Sequence, residues 1–152
     1  MIFDRTQEDI TKALQIRAEK VQKGAVLTDE DKRILERGCL TYNTLNRIEG
    51  KQEELKNLLN EDCYFVEDIV TKTFGEYDFY YLADFERVLS NLKKLKTAYF
   101  VYDDTPQIPN NKYFKFEVIN AVEKILYDID VMISDIKSHY RECGNYVCGE
   151  ES

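Results

Sequence analysis

One long amphipathic stretch organises the sequence: Ile119-Asn-Ala-Val-Glu-Lys-Ile-Leu-Tyr-Asp-Ile-Asp-Val-Met-Ile-Ser-Asp-Ile-Lys-Ser-His-Tyr140. Its apolar residues recur at alternating spacings of three and four, at Ile119, Val122, Leu126, Ile129, Ile133, Ile136 and Tyr140. This heptad pattern predicts a helix from about Phe116 to Glu142, on the order of 40 Å long. Apolar residues also widen the stripe on one flank, at Val118, Ile125 and Met132. The width favours burial in a bundle, or at a junction of three or more helices, over a two-stranded coiled coil.

Four shorter helices are predicted upstream, at about 6–23, 28–37, 41–60 and 82–98. Thr6 and Thr28 are suited to cap the first two, and Gly24 and Gly38 to end them. The first helix is expected to bury a stripe of Ile10, Leu14 and Val21, filled by Ala13 and Ala18. In the third helix the apolar spacing falls on Leu45, Ile48, Gln52, Leu55 and Leu59. In the fourth it falls on Phe85, Leu89, Leu92 and Leu95.

The predicted fold is therefore mainly α, a bundle of about five helices. Residues 63–74 are rich in β-branched and aromatic side chains, so a short β segment is a further option there. The sequence divides into a helical unit at 1–60, a mixed segment with one helix at 61–104, a linker at 105–112 that holds both prolines, and the long helix with a cysteine-containing tail at 113–152. We expect these parts to form one folded unit.

Composition narrows the class of protein. The net charge of −8 argues against binding nucleic acid or an anionic membrane, because both would need a basic face. No apolar run approaches the roughly eighteen residues of a transmembrane helix. Residues 1–5 lack the basic and apolar regions of a signal peptide, so synthesis and folding in the cytoplasm are expected.

No residue pattern predicts catalysis, so the protein is expected not to be an enzyme and to use no cofactor, metal or small-molecule substrate. His139 is the only histidine, and Ser138 does not share its helical face. Two states stay open for Cys143 and Cys148, which flank a glycine-containing turn: free thiols, or a disulfide in oxidising surroundings. His139 and Cys143 share a helical face, but a structural zinc site would need four ligands.

An acidic and aromatic cluster, Glu76-Tyr-Asp-Phe-Tyr-Tyr81, precedes the fourth helix. Two interpretations stay open for Tyr77, Phe79, Tyr80 and Tyr81. They form a recognition patch, because aromatic residues dominate interface hot spots, or their rings fill the core.

Several segments together carry a family resemblance. They are Met1-Ile-Phe-Asp-Arg-Thr-Gln7, Ile16-Arg-Ala-Glu-Lys-Val-Gln-Lys-Gly24, Leu35-Glu-Arg-Gly38, Leu45-Asn-Arg-Ile-Glu49, Ile119-Asn120, Glu123-Lys-Ile-Leu-Tyr-Asp-Ile-Asp-Val-Met-Ile133, Tyr140-Arg-Glu-Cys-Gly144 and Cys148-Gly149. The pattern resembles a family of small proteins encoded by phages and prophages of gut Firmicutes, near their tail and baseplate genes. The match covers both ends of the chain and is weakest over residues 61–81.

The resemblance implies a virion-associated structural or assembly protein of the tail, baseplate or fibre region. Its partners would be other virion proteins or copies of itself. The residues themselves indicate the α-helical stripe at 119–140 as the packing surface, and its width and isoleucine content favour a trimer over a dimer. The alternative is a small acidic phage-encoded inhibitor that binds a host protein, such as a nuclease, through its tyrosine-rich surface.

Overall fold

The computed structural model describes residues 1–110 and 115–143, and for residues 140–143 only the helical backbone. These residues form five α-helices, one 3-10 turn at Val21–Lys23 and no β-strand. The helices are α1 (Gln7–Glu19), α2 (Asp29–Gly38), α3 (Tyr42–Glu61), α4 (Leu82–Ala98) and α5 (Phe116–Cys143). The prediction of a mainly α bundle of about five helices is confirmed. No helix in the described ranges is both long and apolar enough to cross a membrane.

The core lies between α3, α4 and α5, each of which packs against the other two. Five stripe residues of α5 are buried there, namely Ile119, Val122, Leu126, Ile129 and Ile133. On the flank Val118 and Ile125 are buried and Met132 is partly buried, and the stripe residue Ile136 also lies partly buried against the core. The side chain of Tyr140 lies outside the described residues. One chain therefore covers most of the described stripe by itself, and the coiled coil stays a prediction.

The helices α3 and α4 present the expected faces to this core. All five residues named for α3 are buried, including Gln52, whose amide donates to the carbonyl of Val88 at 2.8 Å. In α4, Phe85, Leu92 and Leu95 are buried and Leu89 packs partly buried beside them.

The helix α1 departs from the prediction on its buried face. A capping box joins Thr6 and Asp9 as expected, but α1 ends at Glu19 and the 3-10 turn continues to Gly24, whose φ is 67°. Leu14 is 54% and Val21 43% exposed, and Ala18 is also exposed. Ala13 is buried and Ile10 half-buried, so the predicted buried stripe is wrong at three of its five residues. The reason is that α1 packs mainly on α2, and no further layer covers its other faces.

The predicted β segment at 63–74 is also wrong. These residues leave α3 and run back along it without forming a strand, because their backbone bonds to side chains of α3 and α4. We call residues 65–74 the extended segment.

The start of the predicted linker is held against the bundle. Thr105 is buried, and its hydroxyl donates to Asp128 of α5 at 2.9 Å. The carbonyl of Pro106 accepts from Lys96 of α4 at 2.8 Å. The two prolines therefore end regular structure here without separating the flanking helices.

A close crossing holds the α1–α2 hairpin together. Gly38 is the last residue of α2, and a Cβ built on it would meet the backbone carbonyl of Asp9 and the Cβ of Ala13. Ala13 is fully buried. The sequence predicted only that Gly38 ends the second helix. The structure gives a second reason for glycine at this position, because a side chain there would collide with α1.

Replacing Gly38 with alanine should lower the free energy of unfolding by about 1–3 kcal/mol, because the new methyl group forces the two helices apart. Gly50 is the matched control, since it lies inside α3 with open space around its Cβ position. Gly50→Ala should raise stability by up to about 1 kcal/mol through helix propensity. Urea unfolding of both variants measures the contrast, and equal effects from the two would contradict the crossing.

Candidate functional site

Three aromatic side chains project from the loop before α4. Tyr77 is 88%, Phe79 76% and Tyr81 63% exposed. We call these three the aromatic surface. Tyr80 turns inward between Phe79 and Tyr81, and its ring lies 5.4 Å from the ring of Phe74. The sequence offered two interpretations for these residues, and the structure places three rings outside and one inside.

Hydrogen bonds fix this loop at both ends. The side-chain amide of Asn46 brackets Phe74, accepting from its N–H at 2.7 Å and donating to its carbonyl at 2.9 Å. A turn follows, in which Asp78 accepts from the N–H of Gly75 at 2.7 Å. At the other end, Asp84 accepts from the N–H of Tyr81 at 3.0 Å and caps α4. The aromatic surface is therefore displayed between two anchored points.

A cluster of ion pairs lies beneath the loop. Arg87 binds Asp84 at 2.7 Å and also donates to Glu49 of α3. The second carboxylate oxygen of Glu49 accepts from the backbone N–H of Lys72 at 3.2 Å. The Lys72 ammonium lies 3.5 Å from Asp84. Glu49 is only 2% exposed, so it depends on these donors for its charge.

The pKa values in the cluster follow from burial and from Arg87. Burial raises the pKa of Glu49, against the lowering effect of the Arg87 hydrogen bond. Burial also acts to raise the pKa of Asp84, but hydrogen bonds from Arg87 and the Tyr81 backbone outweigh it and lower the value. For the Tyr80 hydroxyl, burial and then the negative charges of Glu49 and Asp84 raise the pKa. Tyr80 is therefore a neutral phenol at physiological pH.

A groove of about 730 Å³ adjoins the aromatic surface, between the α1–α2 hairpin and the loop. Its apolar lining includes Val21, Leu27, Leu35, Leu40, Tyr42 and Phe74. Arg17 and Lys32 line it on the hairpin side, while Glu76 and Asp78 line it on the loop side. The groove and the aromatic surface give this end of the molecule an apolar area with charges of both signs at its margin.

The other residues that the sequence singled out are not part of the aromatic surface. Five of the seven α5 stripe residues lie in the core of one chain, and the trimer stays a prediction. Cys143 as a side chain, and Cys148 altogether, lie outside the described residues, whereas Cys39 and Cys63 are free thiols. His139 is exposed, with Nδ1 2.7 Å from the Asp135 carbonyl oxygen. Within the described part of the chain, no three His, Cys, Asp or Glu residues are grouped to hold a metal ion.

Sequence reasoning missed the residues that support the loop. Glu49 follows Leu45 by one helical turn, on the face of α3 that the apolar stripe uses. A carboxylate at such a position signals a buried charge that needs a cation. Its partner Arg87 is 38 residues away, so no local pattern identifies it.

Comparison of the chain with known protein families, curated proteins and solved structures finds no match. The resemblance to phage tail-associated proteins therefore stays a prediction from the sequence.

Removing the cation of the cluster should destabilise the protein. Arg87→Met leaves Glu49 buried without its charged partner, and we expect a loss of about 3 kcal/mol in the free energy of unfolding. Arg33→Met is the control, because Arg33 is exposed and lies 3.9 Å from Glu30. That change should alter stability by less than about 0.5 kcal/mol. Urea unfolding at neutral pH compares the two variants.

The pH dependence of this loss has a definite sign. Without Arg87, the pKa of Glu49 in the folded protein rises further above its usual 4.5. The folded state then binds a proton more tightly than the unfolded state, so the destabilisation is complete above the folded pKa and fades as the pH falls. The stability difference between Arg87→Met and the parent chain should shrink on acidification, and a difference that grows would contradict the assignment.

Proposed function

We propose that the protein acts by binding another protein through the aromatic surface, as a structural or assembly component of a phage virion. The observation that carries the binding proposal is the exposure of Tyr77, Phe79 and Tyr81 on an anchored loop. The virion setting follows from the sequence resemblance.

Exposed rings on a fixed backbone suit a binding surface for two physical reasons. Each ring leaves a large apolar area in water, which a partner removes on binding. Because Asn46 and Asp84 already hold the ends of the loop, less conformational entropy is lost when the partner docks. Tyrosine is also enriched among residues that dominate binding energy.

The charge around the rings indicates the kind of partner. Glu76 and Asp78 alternate with the exposed aromatics, and the whole chain carries a net charge of −8. A partner with a basic rim around an apolar centre would be attracted over a distance and then bury the rings. The inhibitor alternative uses the same surface against a basic host protein, so the two functions differ in where the protein is found.

Quantitative mass spectrometry of purified particles separates these functions. For a phage that encodes this chain, we expect the protein in the particles at a constant ratio to the major tail protein. Its absence from particles, together with abundance in infected cells, would reject the virion role and favour the inhibitor.

The binding surface is tested by changing Tyr77, Phe79 and Tyr81 together to serine. Incorporation into particles should fall at least about tenfold, since each lost ring removes roughly 1 kcal/mol or more of interface energy. The matched control is Phe65→Ser, because Phe65 is 83% exposed and lies beside Ala98, at the opposite end of α4. Both variants should melt within a few degrees of the parent chain. Normal incorporation of the triple variant would overturn the surface assignment.

A further inference from the structure

The extended segment runs antiparallel to α3. Val66 N–H donates to Asn60 near the end of α3, and Phe74 N–H donates to Asn46 near its start. The fourteen steps along α3 from Asn46 to Asn60 span about 21 Å at about 1.5 Å each. Spread over the eight steps from Val66 to Phe74, that length corresponds to about 2.6 Å each, which lies between the helical rise of about 1.5 Å and the roughly 3.3 Å of a regular β-strand.

One edge of this segment is occupied by side chains of the helices. Every even-numbered residue from 66 to 74 contributes a backbone group to it. The N–H groups of Val66 and Lys72 donate to the side chains of Asn60 and Glu49. The carbonyls of Asp68 and Val70 accept from the side chains of Lys94 and Asn91. Both backbone groups of Phe74 bind the side-chain amide of Asn46. These side chains take the place of a neighbouring strand, which is why no ladder forms.

The opposite edge is open. In an extended chain, alternate residues direct their N–H and C=O groups to opposite edges. Residues 65, 67, 69, 71 and 73 therefore direct theirs away from the helices, and no hydrogen bond between described residues uses these groups. The segment lies at the surface, since Phe65 is 83% and Val70 66% exposed. An open edge with exposed β-branched residues is a template for pairing with another extended chain.

We propose that this open edge pairs antiparallel with the same edge of a second copy, with the two-fold axis at Val70. This register places Val70 opposite Val70 of the second copy and Asp68 opposite its Lys72. Ile69 and Thr71 then exchange hydrogen bonds, as do Glu67 and Thr73. The result is a dimer built on a two-stranded ribbon.

The charges of the segment favour a second copy of the chain as the partner of the open edge, and they favour one register between the two strands. A two-fold axis at Asp68 would place two carboxylates directly opposite each other, which is unfavourable. An axis at Ile69 or Thr71 forms no ion pair across the strands, whereas the axis at Val70 forms two between Asp68 and Lys72. Asp68 is almost fully exposed although it pairs with Lys56 at 2.9 Å, and Lys72 is 40% exposed although it lies 3.5 Å from Asp84. In the dimer each charge therefore exchanges a partner in its own chain for one in the second copy. The segment is therefore complementary to itself.

The same geometry limits the assembly to two copies. Pairing with a second copy uses the open edge of the extended segment. No edge is then left for a third copy, because side chains of α3 and α4 bind the other edge. A two-fold interface of this kind closes on itself and cannot propagate into a fibre. The dimer leaves the aromatic surface outside the paired residues 67–73.

Sedimentation equilibrium of the full chain over a concentration series tests the proposal. We expect a reversible monomer–dimer equilibrium with no larger species. Val70→Lys places two ammonium groups opposite each other and should raise the dimer dissociation constant by roughly tenfold or more. Phe65→Lys is the matched control, because it replaces another exposed apolar residue of the segment outside the paired residues and should leave the constant within about twofold.

Amide hydrogen exchange supplies a second measurement, which distinguishes loss of the dimer from loss of folding. In the dimer the amides of residues 67, 69, 71 and 73 should be protected, and Val70→Lys should expose them while the amides of Val66, Lys72 and Phe74 stay protected. Four results would overturn the proposal: a parent chain that stays monomeric, larger assemblies, a dimer insensitive to Val70→Lys, or equal weakening by Phe65→Lys. If the amides of the open edge become protected only when another protein is added, the edge pairs with a strand of that protein. That result would reject pairing with a second copy of the chain.

Discussion

A buried carboxylate between two arginines is the interaction on which the arrangement of the whole chain depends. Glu123 of α5 is fully buried; Arg5 donates to one of its oxygens and Arg47 of α3 binds the other at 2.9 Å. Arg47 also forms an ion pair with Glu36 of α2 at 2.8 Å. One network of ion pairs therefore connects the N-terminal segment, α5, α3 and the α1–α2 hairpin. A buried charge of this kind is costly unless every partner is present. The network therefore permits one relative position of these elements, and the side-chain amide of Asn120 reinforces it by bracketing the backbone of Arg5.

The consequence for function is a division between interior and surface. Most of the apolar stripe of α5 and its carboxylate are buried within one chain, and both surfaces proposed for binding lie on the segment between α3 and α4. That segment buries Val66 and Phe74, while its backbone is held by polar side chains from the helices. Asn46, Glu49 and Asn91 bind its backbone directly. The rigid helices thus hold an irregular segment in a fixed shape, and both the aromatic surface and the open edge are products of that support.

Much of the fold follows from local pattern. Apolar spacing and threonine caps locate the helices to within a residue or two at most ends, because these signals act over one or two turns. The buried face of α1 was predicted wrongly, since Leu14 and Val21 have helical spacing but no layer above them. The β-branched residues at 63–74 indicated extended backbone but not its partners, which are asparagine and glutamate side chains. The pairs Arg5–Glu123 and Glu49–Arg87 join distant parts of the chain, and no periodicity encodes which charges meet. Exposure of the aromatic surface depends on Tyr80 alone turning inward, which the alternating sequence does not reveal.

The central claim is that the Glu123 network holds the elements of a single chain in place, and replacing one charge tests it most directly. Glu123→Gln keeps the shape of the side chain but leaves two arginines without their shared carboxylate. Urea unfolding should show a loss of about 3 kcal/mol with an unchanged m-value, because one partner of a buried network is removed. Glu117→Gln, at an exposed position in the first turn of the same helix, should stay within about 0.5 kcal/mol of the parent chain. Equal stability of the Glu123 and Glu117 variants would contradict the account.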